Sequence, residues 1–130
     1  MKFSLGIIGT GNIFPAYLRT LQRSKQFQIV GIADSGSGSA TVRGEEFGLR
    51  AMSQDALLQS DADIILCLTP PLSHYGIGMR VLNAGKHFFT EKPLAATFAE
   101  GQALVQLAAQ KGLRVGCAPD TFFEIGRAHV

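Results

Sequence analysis

The run Phe3-Ser4-Leu5-Gly6-Ile7-Ile8-Gly9-Thr10-Gly11-Asn12-Ile13 constrains this chain more than any other stretch. Its apolar half, Phe3 to Ile8, has the length and continuity of a strand buried on both faces. Two glycines follow, and a helical pattern begins near Asn12. Strand, glycine turn and helix in direct succession open a βαβ unit of the dinucleotide-binding kind. Without side chains at Gly9 and Gly11, the backbone can approach a pyrophosphate closely. The helix then points its unpaired N–H groups and the positive end of its dipole at that anion. Two glycines also occur in many tight turns, so the positions downstream decide what this one holds.

The totals narrow the choices. At 130 residues and 46% hydrophobic, the chain buries one core, and a single domain is the simplest expectation. Twelve Lys and Arg against 10 acids leave a net charge of +2, too small to argue for nucleic acid or an anionic membrane. No apolar run is long enough to span a bilayer. The first strand begins at Phe3, which leaves no room for a leader peptide, so the expected compartment is the cytoplasm. Cys67 and Cys117 each sit in an apolar run and read as small core residues, not as a disulfide or metal site.

Taken in order, the chain alternates strands and helices. The glycine turn leads into a helix to about Ser24, with Ile13, Tyr17, Leu21, Phe14 and Leu18 on one face and Pro15 harmless in its first turn. Phe27 to Ala33 is a second strand ending at Asp34. A small-residue loop, Ser35 to Ser39, precedes a helix from Ala40 to Phe47 that stops at Gly48. Leu49 to Met52 is a short third strand, and Ser53 caps a brief helix, Gln54 to Gln59. Asp63 to Thr69 is a buried strand halted by Pro70-Pro71. Ser73 opens a helix that Gly85 closes, and His87 to Thr90 is a fifth strand. Thr97 and Glu100 form a capping box for a helix that turns Leu104, Val105, Leu107 and Ala108 inward and ends at Gly112. Leu113 to Ala118 is a sixth strand. This alternation predicts a doubly wound parallel α/β sheet with strand order 3-2-1-4-5-6.

In such a sheet, ligands lie beyond the carboxyl ends of the strands, at the switch point. The strand ends are Gly9-Thr10-Gly11, Asp34, Thr69-Pro70-Pro71, Glu91-Lys92-Pro93 and Ala118-Pro119-Asp120. Asp34 stands 23 residues beyond Gly11, where a ribose-binding carboxylate is expected about 20 residues on. Such a carboxylate accepts hydrogen bonds from ribose hydroxyls and repels a 2′-phosphate, which favours NAD and leaves NADP possible through Arg43 and the nearby serines. An Asp here also serves as an ordinary loop or helix cap. Lys92 would present a cation or proton donor to an oxygen undergoing oxidation or reduction; the bland alternative is an exposed lysine before a turn proline.

These motifs together resemble the N-terminal domain of the Gfo/Idh/MocA oxidoreductases, the glucose-fructose oxidoreductase and inositol dehydrogenase family. The resemblance rests on Gly9-Thr10-Gly11-Asn12-Ile13, Asp34, Ala62-Asp63, Thr69-Pro70-Pro71 with His74, Ala84-Gly85-Lys86-His87 and Glu91-Lys92-Pro93-Leu94. It runs from residue 3 to about 122. It implies that Gly9, Thr10, Gly11, Asn12 and Ile13 hold the pyrophosphate and that Asp34 takes the adenosine ribose. Thr69, Pro70 and His74 would line the nicotinamide side. Glu91 would contact the nicotinamide ribose, and Lys92 would touch the substrate as the catalytic residue. The Lys92–Pro93 bond becomes a candidate for cis. The implied substrate is a sugar or polyol, and the implied parent protein is a homo-oligomer.

Two departures stand out. Phe14 occupies the third position of the fingerprint, where a small residue normally lets helix and strand pack closely. Family members also continue into a mostly β substrate domain that supplies a further His, and this domain is missing here. Residues 1–122 are therefore expected to be the dinucleotide-binding domain, with 123–130 a tail foreign to the family. Ile125 to Val130 back-translates to ATC GGA AGA GCA CAC GTC, which resembles sequencing-adapter DNA, so His129 is not recruited as a base. A non-catalytic nucleotide-binding module is the competing reading. A relative of the biliverdin or dipicolinate reductases is a third, against which the Glu-Lys-Pro segment counts.

Overall fold

A computed structural model describes residues 2–118. Five parallel strands form one sheet in the order β2-β1-β3-β4-β5, where β1 is Phe3–Ile8, β2 Phe27–Ala33, β3 Ile64–Cys67, β4 His87–Thr90 and β5 Val115–Cys117. Each connection carries a helix: α1 (Phe14–Arg23), α2 (Ser39–Phe47) with the short α3 (Gln54–Leu58), α4 (His74–Asn83) and α5 (Phe98–Lys111). The result is the expected doubly wound α/β sheet.

Period-two alternation along the strands divides the core into two layers. Ile7, Leu66 and Ile32 pack with Phe14 and Leu18 of α1 and Ala40 of α2. Ile8, Ile65, Cys67 and Phe88 pack on the other face with Leu57, Val81, Leu82, Leu104 and Ala108. Phe14 is fully buried, its ring edge-on to Phe47 at 5.8 Å. The bulky residue at the third fingerprint position thus fills space between α1 and α2 and stays out of the groove.

Three expectations change. The third strand, Leu49 to Met52, shrinks to a single bridge between Ala51 and Ile32. Arg50 O and Met52 N bond Ile32, but Ser53 already caps α3, with Ala56 N–H donating to its Oγ at 3.0 Å. No residues remain to extend the pairing, and the sheet has five strands, in the predicted order apart from this one. On α5, Val105 is half exposed while Leu104 and Ala108 are buried, because neighbours on a helix differ by about 100°. Ile13 lies ahead of α1 and is exposed for the same lack of an inward position. The capping reading of Thr97 holds: Glu100 N–H donates to its Oγ1 at 3.2 Å. Cys67 is buried and Cys117 half-buried, and both are free thiols. Pro119-Asp120 and the 123–130 tail, including His129, lie outside the described residues.

The register positions the site. Ile8 pairs with Ala33 and with Cys67, Cys67 with Thr90, and Thr90 with Cys117. The last residues of all five strands form one row, so whatever follows them shares one edge of the sheet.

Candidate functional site

The glycine turn leaves β1 at the middle of that edge. Gly9 has φ +111°, and a Cβ there would lie 2.6 Å from the carbonyl carbon of Leu68. The chain after β3 passes too close for any side chain. Gly11 differs: a Cβ on it would meet nothing within 4 Å. Packing within the protein does not require a glycine at 11, whereas a ligand approaching the backbone does. Among the described residues, the N–H groups of Thr10, Gly11, Asn12 and Ile13 make no hydrogen bond. They lie just ahead of α1, whose first turn carries no acidic residue. Unpaired donors at the positive end of a ten-residue helix form a site for an anion.

A groove of about 330 Å³ opens over this turn, walled by Gly9, Thr10, Gly11, Asn12, Asp34, Ser35, Ser37, Ser39, Leu68, Thr69 and Pro70. Most of the residues singled out from the sequence therefore meet in one cleft. Asp34 closes its far end. Its Oδ1 accepts from Gly36 N–H at 2.6 Å and its Oδ2 from Ala40 N–H at 2.8 Å. Those two bonds, Ala40's first, hold its carboxyl below the usual range against a weaker opposing push from burial. The carboxylate thus caps α2 and shapes the loop, as the plainer reading had it. Each oxygen accepts one such bond and keeps capacity for a ribose hydroxyl.

The remaining predicted residues sit along the same edge outside this groove. Glu91 follows β4 and accepts a hydrogen bond from the Tyr17 hydroxyl of α1. Lys92 is exposed, and the Lys92–Pro93 peptide is cis. Cys117 closes the row; burial and then the charge of Glu91 push its thiol up, with Lys92 opposing them. His74 is placed differently from expectation. It is fully buried, with Nδ1 2.6 Å from the carbonyl oxygen of Pro93 and Nε2 2.8 Å from that of Thr69. It braces the wall from behind, and a neutral ring would donate to one of these carbonyls at a time. Thr69 is also buried; its hydroxyl meets Cys67 Sγ at 3.1 Å and accepts from the Ser73 hydroxyl at 2.5 Å.

Sequence reasoning missed two side chains' contacts. Tyr17 read as part of an apolar helix face, yet its hydroxyl reaches Glu91 from 74 residues away. Arg43 read as a possible phosphate ligand, yet its guanidinium turns to the carbonyls of Thr10 and Gly11. Neither contact has a local signature. A larger, apolar concavity of about 540 Å³ runs along Leu94, Phe98 and Val105 and contains no ionisable side chain. Among the described residues no cluster of three His, Cys, Asp or Glu could hold a metal, and no helix is long and apolar enough to cross a membrane.

A donor-lined glycine turn and a carboxylate at the end of β2, set across one groove in this topology, have the form of a dinucleotide site, and the family comparison agrees. The model of an oxidoreductase family with an NAD-binding Rossmann fold, GFO/IDH/MocA, matches residues 3–118. The chain belongs to that family. It is 27% identical over 120 residues to inositol 2-dehydrogenase of Salmonella paratyphi B, covering 88% of this chain and 36% of that protein. Among solved structures, a dehydrogenase (MviM) from Clostridium difficile superposes with a TM-score of 0.84 at 28% identity, covering 91% of this chain and 39% of that one. Biliverdin reductase from Synechocystis, solved with biliverdin and NADP+, gives 0.81 at 31% identity, covering 88% and 37%. Biliverdin reductases are thus among the proteins this chain resembles, although the Glu-Lys-Pro segment counted against such a relative. The chain spans somewhat over a third of the length of these relatives.

Proposed function

We propose that residues 1–122 are the cofactor-binding part of a longer oxidoreductase that interconverts a sugar or polyol alcohol and its carbonyl, with NAD as the preferred dinucleotide. The observation that carries this reading is the aligned row of strand ends, which sets the glycine turn, Asp34 and the Glu91–Lys92–Pro93 loop on one edge. The free N–H groups of residues 10–13 would hold the pyrophosphate, and Asp34 the adenosine ribose. The backbones of Thr69 and Pro70 would form the nicotinamide wall, with Glu91 on the second ribose. His74 supports that wall indirectly through the carbonyls of Thr69 and Pro93. When bound, the nicotinamide ring supplies or accepts the hydride. Lys92, exposed at the mouth of the site, would place its ammonium against the substrate oxygen, stabilise charge developing there, and give or take its proton. The second ligand wall and the sugar contacts would come from the remaining length that the relatives possess, in an enzyme that assembles as a homo-oligomer.

A non-catalytic nucleotide-binding module is favoured for the chain by itself, because it spans only about a third of its relatives. Titration of the 130-residue chain with NADH, read by cofactor fluorescence, tests both readings. Saturable binding supports a cofactor domain, and no binding defeats both. Turnover of a polyol by this chain alone would defeat the module reading.

A further inference from the structure

We propose that Arg43 is a positioning residue for the pyrophosphate turn and that, held there, it takes no part in recognising a 2′-phosphate. The proposal rests on the reading of the glycine turn as the pyrophosphate site. All three guanidinium nitrogens are engaged. Nε donates to Thr10 O at 3.2 Å, Nη2 to Gly11 O at 3.4 Å, and Nη1 to Glu46 Oε1 at 2.9 Å. The groove is walled by the turn and the Asp34 loop, and Arg43 is not among the residues that line it.

Peptide geometry gives these two contacts their consequence. In a planar trans peptide, the carbonyl of one residue points opposite to the N–H of the next. Pulling the carbonyls of Thr10 and Gly11 toward α2 turns the N–H groups of Gly11 and Asn12 away from it. Those two donors are among the four left unpaired for an anion. Within the turn, Gly11 O also accepts from Phe14 N–H at 3.2 Å, while Gly9 N–H donates to Ala33 O at 2.8 Å. Gly11 lacks packing contacts at its Cβ position, and a glycine is free to reorient. The second tie comes from the same helix: Thr10 Oγ1 lies 2.5 Å from Ser39 Oγ, which lies 3.0 Å from Ser37 Oγ. α2 thus holds the turn in its ligand-ready form and lowers the ordering cost of binding. Adenosine ribose recognition is left to Asp34 and the loop serines.

The test uses Arg43→Met and Arg43→Lys in the 130-residue chain, titrated with NADH, NADPH and adenosine. Arg43→Met is expected to weaken NADH and NADPH by the same factor, about tenfold, as loss of about 1.4 kcal/mol would give, and to leave adenosine, which carries no phosphate, unchanged. Arg43→Lys, which keeps the charge and loses the fork, is expected to rescue neither. Selective loss of NADPH would overturn the proposal in favour of a 2′-phosphate ligand, and full rescue by lysine would reduce the effect to charge. In the ligand-free protein, Arg43→Met is also expected to shift the amide resonances of Gly11 and Asn12 and speed their exchange. Unchanged amides overturn the positioning role whatever the dinucleotide does. Changed amides in a protein whose wild type binds no NADH would defeat the cofactor reading instead.

Discussion

Alanine at Gly9 and alanine at Gly11 should damage this protein in opposite ways. At Gly9 the φ of +111° is one that side chains rarely adopt, and the new Cβ would lie 2.6 Å from Leu68 C and 2.8 Å from Thr69 N. Both are backbone atoms at the end of β3, so no rotamer change relieves the clash. Strained backbone costs about 1–3 kcal/mol, and overpacking adds about 1–3 kcal/mol. Against a total stability of about 5–15 kcal/mol, and at roughly 4 °C per kcal/mol for a chain of this size, the melting temperature should fall by about 8 °C or more. Gly11 has no positive φ and open space at its Cβ position. Alanine there should change stability by no more than about 1 kcal/mol, in either direction. It should nonetheless weaken NADH binding by at least about tenfold, because the methyl occupies the ground on which a pyrophosphate would lie. Thermal unfolding of both variants, followed by NADH titration of Gly11→Ala, separates the two effects. If Gly11→Ala bound NADH as the wild type does, no pyrophosphate lies over the turn. If Gly9→Ala melted as the wild type does, the close approach of β1 and β3 would be wrong.

Other consequences can be measured directly. His74→Phe leaves the carbonyls of Thr69 and Pro93 without their buried partner and should cost about 2–4 kcal/mol in urea unfolding; a loss under about 1 kcal/mol would mean the ring braces nothing. Asp34 is held below its ordinary 3.8 by the Ala40 and Gly36 amides, so its contribution is present above about pH 4 and lost as the pH falls through the lower folded value. Asp34→Asn should therefore lower the unfolding free energy measured in urea at pH 7, by about 1 kcal/mol or less for so exposed a group, and the difference should shrink as the pH falls through the lowered folded value; a deficit that does not shrink in acid would refute this. Lys92→Met, at an exposed position, should leave unfolding within about 0.5 kcal/mol of wild type. In a full-length enzyme carrying this domain it should lower kcat by about 10²–10⁴-fold, and activity retained at neutral pH would remove Lys92 from the chemistry.

Local chemistry made much of this protein readable from its residues. The apolar run of β1, the proline stop after β3, Ser53 and Thr97 as caps, and Gly48, Gly85 and Gly112 at helix ends act over a few positions, and all appear where expected. Parallel topology then followed from alternation, and with it the edge on which Asp34 and Lys92 stand. Tertiary structure alone decided the contacts that cross that edge. Ala51 forms one bridge because α3 begins immediately after it. His74 turned from groove lining to buried brace because two distant carbonyls converge on its ring. Tyr17 met Glu91 and Arg43 met the glycine turn through side chains brought from 74, 33 and 32 residues away. Periodicity reports which face a residue occupies, not which partner waits across it. The glycine turn was legible from its residues, but the guanidinium that bonds its carbonyls comes from another helix.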